Sequence, residues 1–212
     1  MTTWTETRNG RAYAFPFPEM PNVAVFTVRD DDAETPDGDG YAPTLVGSDW
    51  GTRDYVDARS VYVDSEVTRA YLRACDHYGE MPAHPELAAR YMRAFYETEI
   101  ATASSWSDRY ANVVIFDTPA WRAHCGILSH LDVMTRANLM GDVETWQAYL
   151  DGEVYGIGYV IVADPDDDDD VETFVDDGSV DVWGFYGTEY AREAAVEECA
   201  IDPETYGSSY TI

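Results

Sequence analysis

The apolar positions along the chain fall into short β-like runs and longer stretches with helical spacing. Residues 22–28 (Asn-Val-Ala-Val-Phe-Thr-Val) are dense in β-branched and aromatic side chains and predict an early strand, which ends at an acidic Gly/Pro-containing loop over residues 30–40. A second strand is expected over residues 55–63. Val67, Ala70, Tyr71, Ala74, Cys75 and Tyr78 then recur at i, i+3, i+4, i+7, i+8 and i+11. That period predicts a helix over 67–78, with Asp64 or Ser65 as N-cap and Gly79 just past its end. Pro85 suits a first helical position, and a helix from there to about Thr98 is expected to turn Leu87, Tyr91, Ala94 and Phe95 to the core. The short link between these helices implies an αα-hairpin.

Residues 111–116 (Ala-Asn-Val-Val-Ile-Phe) form a continuous apolar run, the pattern of a central strand covered on both faces. Helical spacing over 131–150 is read as two pieces. The second is capped by Asp142, buries Val143, Trp146, Tyr149 and Leu150, and closes at Gly152. Strands follow over 154–163 and 180–186. An Asp-rich break over 164–170 and a short edge strand over 172–175 lie between them, and a helix over 188–200 finishes the pattern. There is no internal repeat. Irregular interleaving of strands and helices predicts an α+β fold, a mixed or antiparallel sheet with helices mainly on one face. A single domain over 1–212 is expected, with 1–103 and 104–212 as its natural subdivision.

Composition changes the picture chiefly through charge. The 212 residues hold 41 acidic side chains against 13 basic ones, all arginine, for a formal net charge of -28. With 45% hydrophobic and 14% aromatic residues the chain has ample apolar mass for a core, so it is not an acidic disordered tail. Direct binding to nucleic acid or to an anionic membrane is disfavoured, because phosphates would be repelled. No apolar run approaches the about 20 residues of a spanning helix, and no signal segment opens the sequence, so a cytoplasmic location is expected. Cys75, Cys125 and Cys199 are too few and too scattered for a disulfide framework.

The segment Gly141-Asp-Val-Glu-Thr-Trp-Gln-Ala-Tyr-Leu-Asp-Gly-Glu-Val-Tyr-Gly-Ile157, then Val182-Trp-Gly-Phe-Tyr-Gly187 and an acidic helix, resembles an uncharacterised protein family carried by phages and conjugative elements. A Trp-Asp-Ser-Gly-Gln-like segment precedes a strand in that family; here the matching place reads Ser105-Trp-Ser-Asp-Arg-Tyr110. The likeness covers about residues 104–200. It implies a mobile-element setting, in which small acidic proteins often act against host defence, and it carries over no catalytic residue. Independently of it, Gly156, Gly158, Gly184 and Gly187 beside Trp and Tyr suggest aromatics packed over bare backbone.

Glu189, Glu193 and Glu197 repeat every four residues opposite Ala191, Ala195 and Cys199, a spacing of like charges that costs about 0.2–0.5 kcal/mol per pair. The net charge matches the phosphates on about 48 Å of duplex, close to the about 43 Å width of a globule this long. These numbers point to a DNA mimic, an antirestriction-type inhibitor. Its partner would be a host DNA-binding or restriction/defence protein with a basic groove. The expected contact residues are Glu189, Glu193 and Glu197, with Asp166, Asp167, Asp168, Asp169 and Asp170 as a flexible extension. The competing account is a halophile-adapted globular protein, even a small enzyme of unknown activity, whose acidity is solvation. Absence of Lys and an excess of Asp (25) over Glu (16) suit that account, and coding bias also removes Lys.

Other chemistry is weaker. Residues 164–170 lack the Gly and Glu of an EF-hand loop, with Asp169 and Val175 at those places. Cys75, His77, His124 and Cys125 do not have a zinc spacing, and Cys125 beside His124 lacks a nucleophile motif. Glu97 with Glu99, and Asp142 with Glu144, are pairs that 41 carboxylates produce by chance. No cofactor, metal or catalytic residue is therefore assigned. Trp4, Tyr13, Phe15 and Phe17 are the aromatics available for a homodimer contact.

Overall fold

The structure is a computed structural model that describes residues 2–36, 42, 44–47, 55–58, 65–78, 85–105, 111–126 and 133–200. Its strands are β1 (Thr5–Glu6), β2 (Ala12–Ala14), β3 (Val23–Arg29), β4 (Thr44–Gly47), β5 (Tyr55–Ala58), β6 (Glu99–Ser105), β7 (Ala111–Asp117), β8 (Val154–Ile161) and β9 (Val182–Tyr186). The helices are α1 (Ser65–Tyr78), α2 (Pro85–Tyr96), α3 (Pro119–His124), α4 (Val133–Leu150), α5 (Asp168–Asp177) and α6 (Thr188–Ala200). The chain divides into two compact units, residues 1–34 with 152–212, and residues 35–151. The subdivision expected at residue 103 falls inside β6, which pairs with β7 from Glu99 to Ser105.

The discontinuous unit is built on a five-stranded antiparallel sheet in the order β1-β2-β3-β8-β9. Alternation along β3 sorts its side chains between two cores. Val25, with Ile157 of β8, packs against Ala191, Ala194 and Ala195 of α6. Ala24 and Phe26 point the other way and join Val162 with Val171 and Val175 of α5. Gly158 opposes Phe26 in the register, and a Cβ there would lie 2.7 Å from both the Phe26 ring and the Ser179 carbonyl oxygen. Gly156 similarly underlies Trp183, so aromatics lie over bare backbone at these two glycines, whereas Gly184 and Gly187, with φ of 95° and 97°, have nothing within 4 Å of a Cβ and serve the backbone conformation instead.

The continuous unit carries a four-stranded antiparallel sheet in the order β5-β4-β7-β6. Its interior strand β7 is covered on both faces, as its apolar run predicts. Val113 and Ile115 meet Trp121 with Leu139 and Trp146 of α4, while Val114 and Phe116 meet Tyr71 of α1 and Met92 of α2. Tyr71 and Phe116 stack edge to face with centroids 5.4 Å apart. At the end of β7 the Arg122 guanidinium is buried. It donates to the Asp117 carboxylate at 3.0 Å, to the Asp117 carbonyl at 2.7 Å and to the Glu97 carbonyl at 2.7 Å. The last contact fixes the left-handed residue (Glu97, φ 49°) by which the chain leaves α2 for β6.

The α+β class and antiparallel pairing stand, but helices occupy both faces of each sheet instead of mainly one. A strand buried on both sides requires this. Residues 172–175, expected as an edge strand, lie within α5, because Val171 and Val175 are one helical turn apart and both reach the Phe26 core. Residues 133–150 form one helix, not two. Packing of Leu139 and Trp146 on β7 carries α4 through Gly141, and the Asp142 carboxylate accepts the backbone N–H of Ala42 instead of capping a helix. On α2 the deeply buried residues are Ala88 and Met92; Leu87, Ala94 and Phe95, expected inside, are exposed. Strand residues 59–63, the N-cap Asp64 and the 79–84 link lie outside the described residues.

Candidate interaction surface on the acidic helices

Charge is unevenly shared. Residues 1–34 with 152–212 carry 23 acidic residues and four arginines, a formal -19, whereas residues 35–151 carry 18 and nine, a formal -9. The densest stretch, residues 164–181, has ten carboxylates and no basic residue. These acids do not form a flexible extension.

Local backbone chemistry orders them. Asp167 is the N-cap of α5, and its carboxylate accepts from the N–H groups of Asp169 and Asp170 at 3.1 and 3.4 Å. Asp164 accepts from the Asp166 N–H at 3.1 Å, and Asp170 reaches back to the Asp164 N–H at 3.3 Å. Asp168, Asp169 and Asp170 fill the first turn, where unpaired N–H groups and the helix dipole favour negative charge. The run that breaks β8 is therefore the start of α5.

The turn between β1 and β2 supplies the opposite end. Arg11 donates to the carbonyls of Val175 and Gly178 at 2.8 and 2.7 Å, so a cation closes the C-terminus of α5. The same guanidinium lies 5.0 Å over the Phe26 ring. Thr7 and Asn9 donate to the Asp176 carboxylate at 2.8 and 2.6 Å. Arg8 approaches Asp169 at 3.3 Å and Glu172 at 3.5 Å, an exposed contact of little energetic weight. Burial, then the fields of Asp168 and Glu172, push the Tyr13 phenol above its ordinary value. A sequence reading has no signal for Arg11, because the pairing is between residues far apart in the chain.

Glu189, Glu193 and Glu197 are exposed along α6, and Ala191 and Ala195 face the sheet, as the spacing predicts. Between them Arg192 lies 5.3 Å over the Trp4 ring. The structure does not join this stripe to the Asp166–Asp170 group, since α5 and α6 pack on opposite faces of the same sheet. The expected single surface is two. Trp4, Tyr13, Phe15 and Phe17 are likewise not a free aromatic patch: Tyr13 is buried, and the other three pack against the cores beneath α6 and α5.

Cys125 is exposed, and slight desolvation of its thiol together with the charges of Asp142 and Asp117 pushes it up, opposite to an activated nucleophile. His124 stacks on Trp121 at 5.3 Å. The side chains of Cys75 and His77 lie outside the described residues, and among those described no group of three or more His, Cys, Asp or Glu is placed to hold a metal ion. Glu99 is paired with Arg93. Asp142, on α4, is pushed up to about 6 by burial and by Asp117, against the lowering effect of the Ala42 N–H. Among the described residues no helix is long and apolar enough to cross a membrane. The chain matches no family model, no curated protein and no solved structure.

Proposed function

We propose that this chain is an acidic mobile-element protein that inhibits a host DNA-binding or restriction/defence protein by entering its basic nucleic-acid groove. Carboxylates take the place of phosphates there. The supporting observation is the ten-carboxylate segment around α5, held in order by its own backbone and closed by Arg11. The ten-residue helix α5, about 15 Å long, carries six of these carboxylates, against about nine phosphates on duplex of that length. The α5 side is the contact face, and the α6 glutamates on the opposite face add attractive field.

The test is capture of a basic partner on the immobilised protein at low and high salt, followed by elution with duplex DNA. A nucleic-acid-binding protein released by DNA supports the reading, and Asp166, Asp168 and Asp169 changed together to Asn should weaken capture more than Glu189, Glu193 and Glu197 changed to Gln. Absence of any basic partner at low salt overturns it.

A second reading, salt adaptation, draws on the absence of Lys and on acids covering both faces of one sheet. It requires stability to rise steeply with KCl into the molar range, beyond the about 3 Å screening length reached at 1 M. A plateau below that range removes it.

A further inference from the structure

One tryptophan of the discontinuous unit is held at a sheet edge with half of its surface open. β9 is the last strand of that unit's sheet, and its register with β8 slips at Gly184, so that Tyr155 pairs with Phe185 and Gly156 with Trp183. Strand residues two apart ordinarily share a face, and the bulge reverses this. Phe185 joins Tyr155 at the α6 core, whereas Trp183 lies beside Val180 on the α5 side. A Cβ at Gly156 would come within 2.5 Å of Trp183 Cε3 and 2.6 Å of Val180 Cγ1, so the indole is seated on bare backbone. Trp183 is nevertheless 51% exposed, next to Val182 at 45%. A ring already positioned by a bulge and a glycine loses little freedom when a ligand lies on it.

The surroundings favour a cation. Residues 30–34 hold four carboxylates and lie against the same end of β8 and β9, through the Asp30 N–H to the Val154 carbonyl at 2.8 Å and the Tyr186 hydroxyl to the Glu34 carbonyl at 3.1 Å. Asp177 and Asp181 lie on the segment that leads from α5 into β9, where the Asp181 N–H donates to the Ile157 carbonyl at 2.9 Å. Among the described residues none of these six acids pairs with an arginine. The four arginines of the unit are engaged elsewhere: Arg8 with Asp169 and Glu172, Arg11 with the end of α5, Arg29 with the Gly152 carbonyl, and Arg192 over Trp4. Of the two tryptophans in this unit, Trp4 is therefore covered by a guanidinium of the chain, and Trp183 is not.

We propose that Trp183 and the carboxylates around it receive an arginine side chain of the partner protein, the guanidinium stacking on the indole and pairing with a neighbouring acid. This rests on the reading that the α5 side meets a basic protein, and it names the residue that this side selects. Carboxylates alone attract Lys and Arg as charges; an indole beside them favours the planar, weakly hydrated guanidinium.

Titration of the full chain with hexa-arginine and hexa-lysine peptides, followed by calorimetry and by the indole N–H resonances, tests this. The Trp183 resonance, identified by its absence in Trp183→Phe, should move with hexa-arginine and clearly less with hexa-lysine. Trp183→Ala should weaken hexa-arginine binding about two- to fivefold with little effect on hexa-lysine. Phe95→Ala, which alters an exposed aromatic of the other unit, should change neither. If Trp183→Ala does not fold, the resonance in the wild-type protein decides. An arginine preference that survives Trp183→Ala overturns the proposal. So does a Trp183 resonance that hexa-arginine leaves in place, or one that moves with protein concentration alone, as a second copy on the ring would cause. A Trp183-dependent preference without any captured basic partner supports the arginine site and defeats only the mimic reading; a DNA-eluted partner captured equally well by Trp183→Ala does the reverse.

Discussion

Replacing Asp142 by Asn should stabilise the protein at neutral pH, and the gain should disappear in acid. The Asp142 carboxyl is raised from 3.8 to about 6, first by burial and then by the nearby Asp117 charge. A raised acid favours the folded state only while protonated. That contribution is present below the ordinary carboxyl value and is lost as the pH rises through about 6, because the folded state must then hold a desolvated charge that the unfolded chain solvates freely. A shift of roughly two units corresponds to a ceiling of about 3 kcal/mol, and partial solvent screening brings the expected penalty to about 1–2 kcal/mol. Asn keeps an oxygen to accept the Ala42 N–H and carries no charge. Urea unfolding is the suitable assay, since guanidinium is itself a salt, and tryptophan emission reports the relevant core because Trp121 and Trp146 lie in it. At pH 7.5 the variant should gain about 1–2 kcal/mol, and at pH 4 it should match the wild type. A variant no more stable at pH 7.5, or one with the same gain at both pH values, would refute the argument.

Asp167→Ala removes the N-cap of α5 and should cost about 1 kcal/mol by urea unfolding, with Asp168→Ala costing clearly less. Arg122→Met takes the buried guanidinium away from the buried Asp117 carboxylate, an expected loss of about 3–5 kcal/mol, whereas the Arg122→Met/Asp117→Leu double variant should recover part of it. Gly158→Ala forces a methyl group against the Phe26 ring and the Ser179 carbonyl and should cost about 1–3 kcal/mol, read as a lower thermal midpoint. Each of these would be refuted by a variant indistinguishable from the wild type.

Much of the local structure was legible because burial imposes a period. The runs at 22–28 and 111–116 are strands in the structure, and the α6 spacing placed its alanines inside and its glutamates outside. The same runs also contained the helix arrangement. A strand with no polar alternation must be covered on both sides, so helices mainly on one face conflicts with the pattern of β7 itself. Residues 164–175 misled for a different reason. Aspartate is a poor helix-interior residue but a strong cap, and only its distance from Val171 and Val175 distinguishes a broken strand from a helix start. On α2 the apolar arc is wide enough for two faces, so its pattern marked the helix without choosing which side the sheet would take.

The amino-acid order alone determined the strands at 22–28 and 111–116, the helices α1, α2 and α6, and how much negative charge the protein carries, because these depend on composition and on neighbours a few residues away. Tertiary structure decided the rest. Pairing of β3 with β8 places Val25 beside Tyr159 and interrupts one unit with another, and no local period records which distant strand supplies the partner. The same sheet sends α5 and α6 to opposite faces, so acids that read as one surface along the chain are two surfaces in space. A side chain's alternation fixes its face relative to its own strand, but only the assembled sheet fixes which helix that face meets.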